Sequence, residues 1–184
     1  MDTILILDYG SQYTQLIGRR IRELGVYADI LPGDARIDQA RLADVKGIIL
    51  SGSPHSAYET DAPRPDLALY EAQLPVLGIC YGIQRMTLDF GGEVSRLPDR
   101  EYGRKSVERD ESVADPLLDG LPGTFTSWMS HGDSISRPAP GFEVLARSDG
   151  GIAAALCCRT RRLWGLQFHP EVSHCEGGNR IIEN

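Results

Sequence analysis

An apolar segment that runs into a cysteine between two glycines is the feature that most constrains the fold of this chain. The segment is Pro75-Val-Leu-Gly-Ile-Cys-Tyr-Gly-Ile-Gln84, with Cys80 two residues from both Gly78 and Gly82. Glycines at these positions remove Cβ atoms that would collide in a sharp turn from a strand into a helix. A cysteine in that turn faces free backbone N–H groups and the positive end of the helix dipole, which favour the reactive thiolate. The pattern therefore predicts Cys80 as a nucleophile; the alternative is a buried core cysteine.

The composition is that of one soluble globular domain spanning residues 1–184, with 41% hydrophobic and 24% charged residues. A net charge of -7 argues against a nucleic-acid-binding platform, because neutralising phosphates needs clustered Lys and Arg. The first apolar run is too short for a signal peptide or a membrane span. We therefore expect a cytoplasmic protein without nucleic-acid or membrane partners.

The four cysteines show neither the spacing of a disulfide framework nor that of a zinc ribbon, so reduced thiols are expected. Cys157 and Cys158 continue the apolar run 152–156 and are interpreted as small core residues.

Strands and helices alternate in the first half of the chain. Apolar runs predict strands, and amphipathic patterns predict helices. The strands are expected at 3–7, 27–31, 47–50 and 75–79, and the helices at 12–24, 66–73 and 81–90. Repeated βα units of this size predict an α/β fold whose mainly parallel, twisted sheet is flanked by helices. Functional residues should then lie at the carboxyl ends of the strands.

The second half is richer in β structure. Short apolar or alternating runs separated by Pro, Gly and Asp predict six strands, at 93–97, 105–108, 124–129, 142–146, 152–157 and 163–168. A final helix is expected near the end of the chain, and the basic residues 159–162 are interpreted as a hairpin turn.

His169 and Glu171 directly follow the last predicted strand. A histidine has a suitable pKa for taking a proton from a thiol and returning it to a leaving amine. A carboxylate bound to its far nitrogen would orient the ring, as in other triads. Alone, the pattern fits a capping histidine and a surface glutamate equally well; together with Cys80 it favours a triad.

A turn at Ser51-Gly-Ser-Pro54 follows the strand at 47–50. Its N–H groups could join the N–H of Tyr81 in binding a developing oxyanion. The alternative is an ordinary loop of turn-forming residues. A phosphate-binding loop is disfavoured, because no Gly-Lys-Ser/Thr follows.

These segments together resemble the class I glutamine amidotransferase family, whose fold is flavodoxin-like. The family signature is matched by Gly78-Ile-Cys-Tyr-Gly-Ile-Gln84 and by Gln167-Phe-His-Pro-Glu171. Within the family, the segments 6–16, 19–23 and Trp128-Met-Ser-His-Gly-Asp133 are most similar to the glutaminase part of the GMP synthetases. The resemblance runs from about Ile4 to the last residue.

The resemblance implies hydrolysis of L-glutamine and a role for each matching residue. These are Cys80 as nucleophile, His169 as base, Glu171 as its orienting carboxylate, the N–H groups of Ser53 and Tyr81 as oxyanion donors, and Gln84 with the backbone of Ser130 and His131 as the glutamine site. The family usually has glycine where this chain has Ser53, so a turn that needed a positive φ there would be strained.

The resemblance also implies a partner. GMP synthetases contain an ATP pyrophosphatase domain, which uses ATP and magnesium to activate xanthosine monophosphate for amination by ammonia. The phosphate loop of that domain, Ser-Gly-Gly-x-Asp-Ser, does not occur in these 184 residues, so the synthetase domain is expected on a partner domain or subunit. The glutaminase half-reaction itself needs no cofactor and no metal. A separately expressed domain and a stand-alone glutaminase both remain open.

Four other interpretations remain open. The His-x-Glu pair opens the zinc deaminase signature, but the Pro-Cys-x-x-Cys that completes it is missing. His169, Glu171 and His174 could form a metal cluster, which Pro170 disfavours. The chain could be a non-catalytic regulatory or binding module, or the glutaminase of another amidotransferase such as anthranilate synthase.

Overall fold

The structure is a computed structural model that describes residues 2–38 and 40–184, and for residues 97–100 it describes the backbone alone. Among these residues, nine strands form one sheet. The strands are β1 (Thr3–Asp8), β2 (Tyr27–Pro32), β3 (Val45–Leu50), β4 (Val76–Ile79), β5 (Glu93–Arg109), β6 (Thr124–Arg137), β7 (Glu143–Ser148), β8 (Ala153–Cys158) and β9 (Leu163–Leu166). The helices are α1 (Thr14–Glu23), α2 (Ala68–Glu71), α3 (Tyr81–Asp89) and α4 (Gly178–Glu183). None of the described helices is long and apolar enough to cross a bilayer.

The sheet has the strand order β2-β1-β3-β4-β9-β8-β7-β5-β6. The first five strands in this order are parallel, as the alternation of strands and helices predicts. The α/β class is confirmed. In the pairing of β4 with β9, Ile79 lies opposite Leu166. The carboxyl ends of these two strands, and the residues that follow them, therefore meet at one edge of the sheet.

The predicted β-rich half continues the same sheet through β8, β7, β5 and β6, which are paired antiparallel. Four of the eight strand pairings are parallel and four are antiparallel, so the sheet is mixed and its parallel part ends at β9. The basic residues 159–162 make the turn between antiparallel β8 and β9, as predicted.

The separate strands expected at 93–97 and 105–108 are one strand, β5, of 17 residues. The turn residues between them predicted a break. The backbone instead stays in the sheet across a register shift between Arg96 and Glu101, because its partner β6 continues to Arg137. Pairing with a long neighbouring strand thus overrides the local turn signal.

The helix expected at 66–73 is limited to α2, a single turn. The Asp66 carboxylate accepts the Ala68 N–H at 3.1 Å just before it, as a capping residue does. Gln73 has a φ of 57°, which an α-helix cannot accommodate.

The two faces of the parallel sheet are covered by different helices. On β1, Leu5 and Leu7 belong to the core cluster that contains Ile83 of α3, whereas Ile6 belongs to the cluster that contains Ile17 of α1. This alternation follows from the two-residue period of a strand. Burial on both faces explains why the parallel strands are almost continuously apolar.

Candidate active site

Cys80 lies in the turn between β4 and α3. Its φ of 53° and ψ of -104° lie outside the regions that L-residues favour, and such a conformation costs a residue other than glycine about 1–3 kcal/mol. The Cys80 N–H donates to the Leu166 carbonyl of β9 at 2.7 Å, which anchors the turn to the neighbouring strand. The strand–turn–helix predicted from the sequence is confirmed, with its cysteine in the strained position.

The two flanking glycines are required by close packing. A Cβ at Gly78 would lie 2.5 Å from the backbone nitrogen of Ile83, and one at Gly82 would lie 2.3 Å from the Leu50 carbonyl oxygen. Both contacts are to backbone atoms, which cannot move aside as the end of a side chain can. α3 therefore approaches β3 and β4 at a distance that only glycine allows.

Gly82→Ala should destabilise the fold for this reason. We expect the free energy of unfolding, measured by urea denaturation, to fall by about 1–3 kcal/mol, as over-packing commonly costs. Gly47→Ala in β3 is the matched control, because the nearest atom to its Cβ would be the flexible Cδ1 of Ile4 at 3.4 Å. Equal losses in the two variants would contradict the packing argument.

His169 and Glu171 follow β9, the strand beside β4. They are 3% and 1% exposed, and His169 Nδ1 lies 2.7 Å from Glu171 Oε1. The same ring lies close enough to Cys80 for the thiol to affect its pKa. Burial alone would lower the pKa of His169, but the charge and hydrogen bond of Cys80, followed by those of Glu171, raise it to about 10. The arrangement favours a protonated His169 ring at neutral pH.

Other groups restrain the histidine from two sides. The Tyr13 ring makes an edge contact with the His169 ring at 4.9 Å between centroids. The Arg20 Nε donates to the Glu171 carbonyl oxygen at 3.2 Å. The sequence analysis assigned no role to Tyr13. Its position just beyond the carboxyl end of β1, at the edge of the sheet where Cys80 lies, could have indicated one.

The Cys80 sulfur also faces β6 and a buried amide. Cys80 Sγ lies 3.8 Å from the Ser130 carbonyl oxygen and 3.9 Å from Gln167 Nε2. Gln84 Nε2 donates to Gln167 Oε1 at 3.1 Å and to the Asp133 carbonyl at 2.8 Å. Gln84 thereby orients Gln167 with its amide nitrogen toward the thiol. Gln167 is part of the recognised signature, yet the sequence alone assigned it no function.

His131 lies in β6 and is 4% exposed. Its Nδ1 is 2.8 Å from the Asp133 carbonyl oxygen, and its Nε2 is 3.2 Å from Glu101 Oε2. Both ring nitrogens of His131 therefore face groups other than Cys80. His169 is the histidine close enough for the thiol to affect its pKa.

The turn after β3 is held by Ser51. The Ser51 hydroxyl accepts the Tyr9 N–H at 3.0 Å and donates to the Gly52 carbonyl at 2.9 Å. This carbonyl belongs to the peptide bond whose N–H is that of Ser53. A Cβ on Gly52 would lie 3.3 Å from His169 Cε1, so the turn packs against the catalytic edge. The φ of Ser53 is not positive. The strain that a positive φ would cause is thus absent in this conformation.

Tyr81 is the first residue of α3, where a backbone N–H has no carbonyl of a preceding helical turn to bind. Its hydroxyl donates to the Pro63 carbonyl, and burial raises the pKa of the phenol to about 12. The Tyr81 side chain therefore holds the loop after β3, and the Tyr81 backbone N–H is available to bind a ligand.

A cavity of about 680 Å³ opens at this edge of the sheet, within the size range of small-molecule sites. Seven of the eight residues proposed from the sequence line it, namely Ser53, Cys80, Tyr81, Gln84, Ser130, His131 and His169. The eighth, Glu171, lies behind His169.

The alternative metal cluster does not assemble around His169. His174 is exposed, and its ring lies against the Trp128 ring with centroids 5.0 Å apart. Among the described residues, the group of possible metal ligands within reach of one another is His55, Glu59 and Asp61, all exposed.

The sheet topology, the strained cysteine and the buried histidine–carboxylate pair define a cysteine-dependent hydrolase or transferase of the α/β class. The model of the family "Glutamine amidotransferase class-I" matches residues 5–184. The chain belongs to the class I glutamine amidotransferase family.

Its relatives include glutamine-hydrolysing GMP synthases. The chain is 49% identical to that of Nitratiruptor sp. over 183 residues, which cover 98% of this chain and 36% of the relative. It is 46% identical to that of Thermosipho melanesiensis over 184 residues, 100% of this chain and 35% of the relative. The chain thus spans about a third of the length of these curated relatives.

Solved structures agree with the family. One from Thermoplasma acidophilum, provisionally described as part of a GMP synthase, is 33% identical, with a TM-score of 0.86 over 100% of this chain and 91% of that one. A Thermotoga maritima glutamine amidotransferase is 22% identical, with a TM-score of 0.76 over 93% of this chain and 76% of that one. The second likeness bears on the fold alone.

Proposed function

We propose that residues 1–184 form a single glutaminase domain that hydrolyses L-glutamine to L-glutamate and ammonia. The observation that supports this most strongly is Cys80, which is held in a strained elbow next to the buried, hydrogen-bonded His169–Glu171 pair. Family membership and the cavity beside the thiol support the same activity.

In the first half of the reaction, the Cys80 thiolate attacks the side-chain amide carbon of glutamine. The electron pair of the C=O bond moves to oxygen, where the N–H groups of Ser53 and Tyr81 would stabilise it. The His169 imidazolium then protonates the amide nitrogen. The C–N bond breaks, ammonia leaves, and a γ-glutamyl thioester remains on Cys80.

In the second half, water hydrolyses the thioester. His169, now neutral, takes a proton from the water as the oxygen attacks the carbonyl carbon. The C–S bond breaks, glutamate is released, and the thiolate and the imidazolium are restored. Glu171 keeps Nδ1 protonated, so that the other ring nitrogen exchanges the proton in both halves. No metal or organic cofactor takes part.

The substrate would lie along β6. We assign glutamine recognition to Gln84 and to the backbone of Ser130 and His131. Both hydrogens of the Gln84 amide are bound internally, to Asp133 and Gln167, so Gln84 has its Oε1 to offer a ligand.

The ammonia would be used in GMP synthesis. The relatives at 49% and 46% identity are named glutamine-hydrolysing GMP synthases, and this chain matches about a third of each. We propose that ammonia passes to an ATP pyrophosphatase synthetase domain or subunit, which uses ATP and magnesium to activate xanthosine monophosphate for amination. The reaction would take place in the cytoplasm, where reduced thiols persist.

The test is glutamate release by the chain with and without a GMP synthetase ATP pyrophosphatase partner supplied with ATP, magnesium and xanthosine monophosphate. We expect weak hydrolysis alone and strong stimulation by the loaded partner. Stimulation by an anthranilate synthase partner instead would reassign the acceptor. No hydrolysis under any condition would favour a non-catalytic module.

Ser53→Gly should raise the basal rate. The Ser51 hydroxyl holds the carbonyl of the peptide bond that carries the Ser53 N–H, and turning this N–H toward the substrate requires the bond to reorient. Glycine at position 53 widens the accessible backbone conformations and lowers that cost. Initial rates of glutamate release, with and without partner, measure the effect. A wild-type domain that is fully active alone and unchanged by its partner would refute this gating.

A further inference from the structure

A buried carboxylate outside the triad lies next to the proposed glutamine site. Glu101 in β5 is 4% exposed and faces His131 across the β5–β6 pairing. Its Oε2 is 3.2 Å from His131 Nε2, and its Oε1 accepts the Ser148 hydroxyl of β7 at 2.8 Å. One side chain thus joins three strands, and the reaction described above makes no use of it.

The surroundings of Glu101 favour its carboxylate form. Burial would raise the pKa of the Glu101 carboxyl, but His131 and Ser148, with the charge of Lys105, lower it overall. The carboxylate makes a close polar contact with His131 Nε2 at 3.2 Å, and neither Glu101 Oε2 nor His131 Nε2 has a hydrogen-bond partner among the described residues. On its other side, the ring places Nδ1 2.8 Å from the Asp133 carbonyl oxygen, so it is held between Glu101 and Asp133.

The pair lies where the sheet ladder is interrupted. The pairing of β5 with β6 shifts register between Arg96 and Glu101, and Glu101 opposite His131 is where it resumes. At Asp133, the His131 ring and the Gln84 amide bind the same carbonyl at 2.8 Å each. These two side-chain contacts therefore restrain the β6 backbone at Asp133, beside the cavity, where its pairing with β5 is irregular.

We infer that Glu101 is a positioning residue for glutamine binding, acting through His131. By holding the His131 ring against the Asp133 carbonyl, it sets the path of the β6 backbone at residues 130–133 and the orientation of Gln84. This inference rests on the proposed glutaminase function. It predicts that loss of the carboxylate charge weakens recognition of glutamine and leaves the nucleophile intact.

Glu101→Gln tests this with a side chain of the same shape. We expect KM for glutamine to rise about tenfold, with kcat changed less than about twofold, since the carboxylate contact that holds the His131 ring is lost while the triad is untouched. Alkylation of Cys80 should likewise distinguish glutamine recognition from the reactivity of the thiol. The rate with 6-diazo-5-oxo-L-norleucine, a glutamine-like electrophile, should fall about tenfold, whereas the rate with iodoacetamide, which needs no glutamine site, should stay unchanged.

Two further variants control the experiment. Glu108→Gln removes the same charge from an exposed position of β5 and should behave as wild type. His131→Gln should raise KM as Glu101→Gln does, and the double variant should be no worse than either single one, because the two residues act as one unit.

Nitrogen-15 chemical shifts of the His131 ring give a readout that general destabilisation would not produce. We expect the Nε2 signal to move in Glu101→Gln, because the carboxylate 3.2 Å from this nitrogen is replaced by an amide. An unchanged Nε2 signal, additive effects in the double variant, or an unchanged KM in Glu101→Gln would each overturn the inference. A wild type that neither hydrolyses glutamine nor reacts with the glutamine analogue would refute the proposed function instead.

Discussion

Cys80→Ala abolishes glutamate release while leaving the fold intact. The variant removes the only atom that could form the thioester, and loss of a triad nucleophile lowers kcat by about 10⁶-fold in a well-studied hydrolase. Alanine retains the Cβ, so the backbone cost of the φ of 53° is the same as for cysteine. We therefore expect urea denaturation curves of the variant and the wild type to overlap, and the loss of activity to be purely chemical.

The same assignment predicts which thiol a glutamine-analogue electrophile labels. All four cysteines are free and buried, but Cys80 alone among them lines the cavity. Burial, with help from neighbouring carboxylates, raises the pKa of Cys157 and of Cys175 to about 12, so these two remain protonated and unreactive at neutral pH.

Peptide mapping after labelling decides the point. The label should appear on Cys80 and on no other cysteine. Cys158→Ala, which removes a thiol paired with Leu163 at the opposite end of β9 from His169, should be labelled as the wild type is. Labelling of Cys157, Cys158 or Cys175 with Cys80 spared would reject Cys80 as the nucleophile.

His169→Ala lowers glutamate release by about 10²–10⁴-fold, the usual contribution of a general acid–base group. The loss has two sources. The thiolate loses the imidazolium beside it, and the leaving ammonia and the attacking water lose their proton donor and acceptor. Because the first effect acts on the free enzyme, alkylation of Cys80 by iodoacetamide at pH 7 should slow as well.

Glu171→Gln should retain more activity than His169→Ala. The amide can still bind Nδ1, which lies 2.7 Å from the carboxylate, but it no longer favours the charged ring, and it can hold the wrong tautomer. Rates of glutamate release and of alkylation for both variants, compared at equal folded fraction, test the order. Wild-type activity in His169→Ala would mean that another group is the base, although both nitrogens of His131 are already engaged.

The resemblance and the local patterns predicted most of the residues that line the cavity. The proposed nucleophile, histidine and carboxylate could be located from sequence because each lies in a short motif whose chemistry depends on adjacent residues. The elbow needs its two glycines within two positions of Cys80, and the His-x-Glu pair lies within three residues. Motifs of this length can be recognised without knowledge of the fold.

Contacts between distant segments were not found in this way. The resemblance assigned Gln84 and His131 to the glutamine site, but it did not indicate their contacts with Gln167 and Glu101. Glu101 and His131 are 30 positions apart, and Gln84 and Gln167 are 83 apart. Their pairing depends on which strands are neighbours and on the register between them, which the local pattern of neither segment contains.

The sequence by itself determined the α/β class, the elbow at Cys80 and the residue types of the triad, because hydrophobic periodicity and glycine sterics act over a few residues. The tertiary structure alone decided that the sheet continues antiparallel beyond β9 and that residues 93–109 form one strand. It also decided that Ser53 has an ordinary φ, that Glu101 lies against His131, and that the Asp133 carbonyl binds both His131 and Gln84, which in turn binds Gln167 beside Cys80. The reason is physical: strand order, register and the satisfaction of buried polar groups are properties of the whole packed chain, since each depends on segments that meet only after folding.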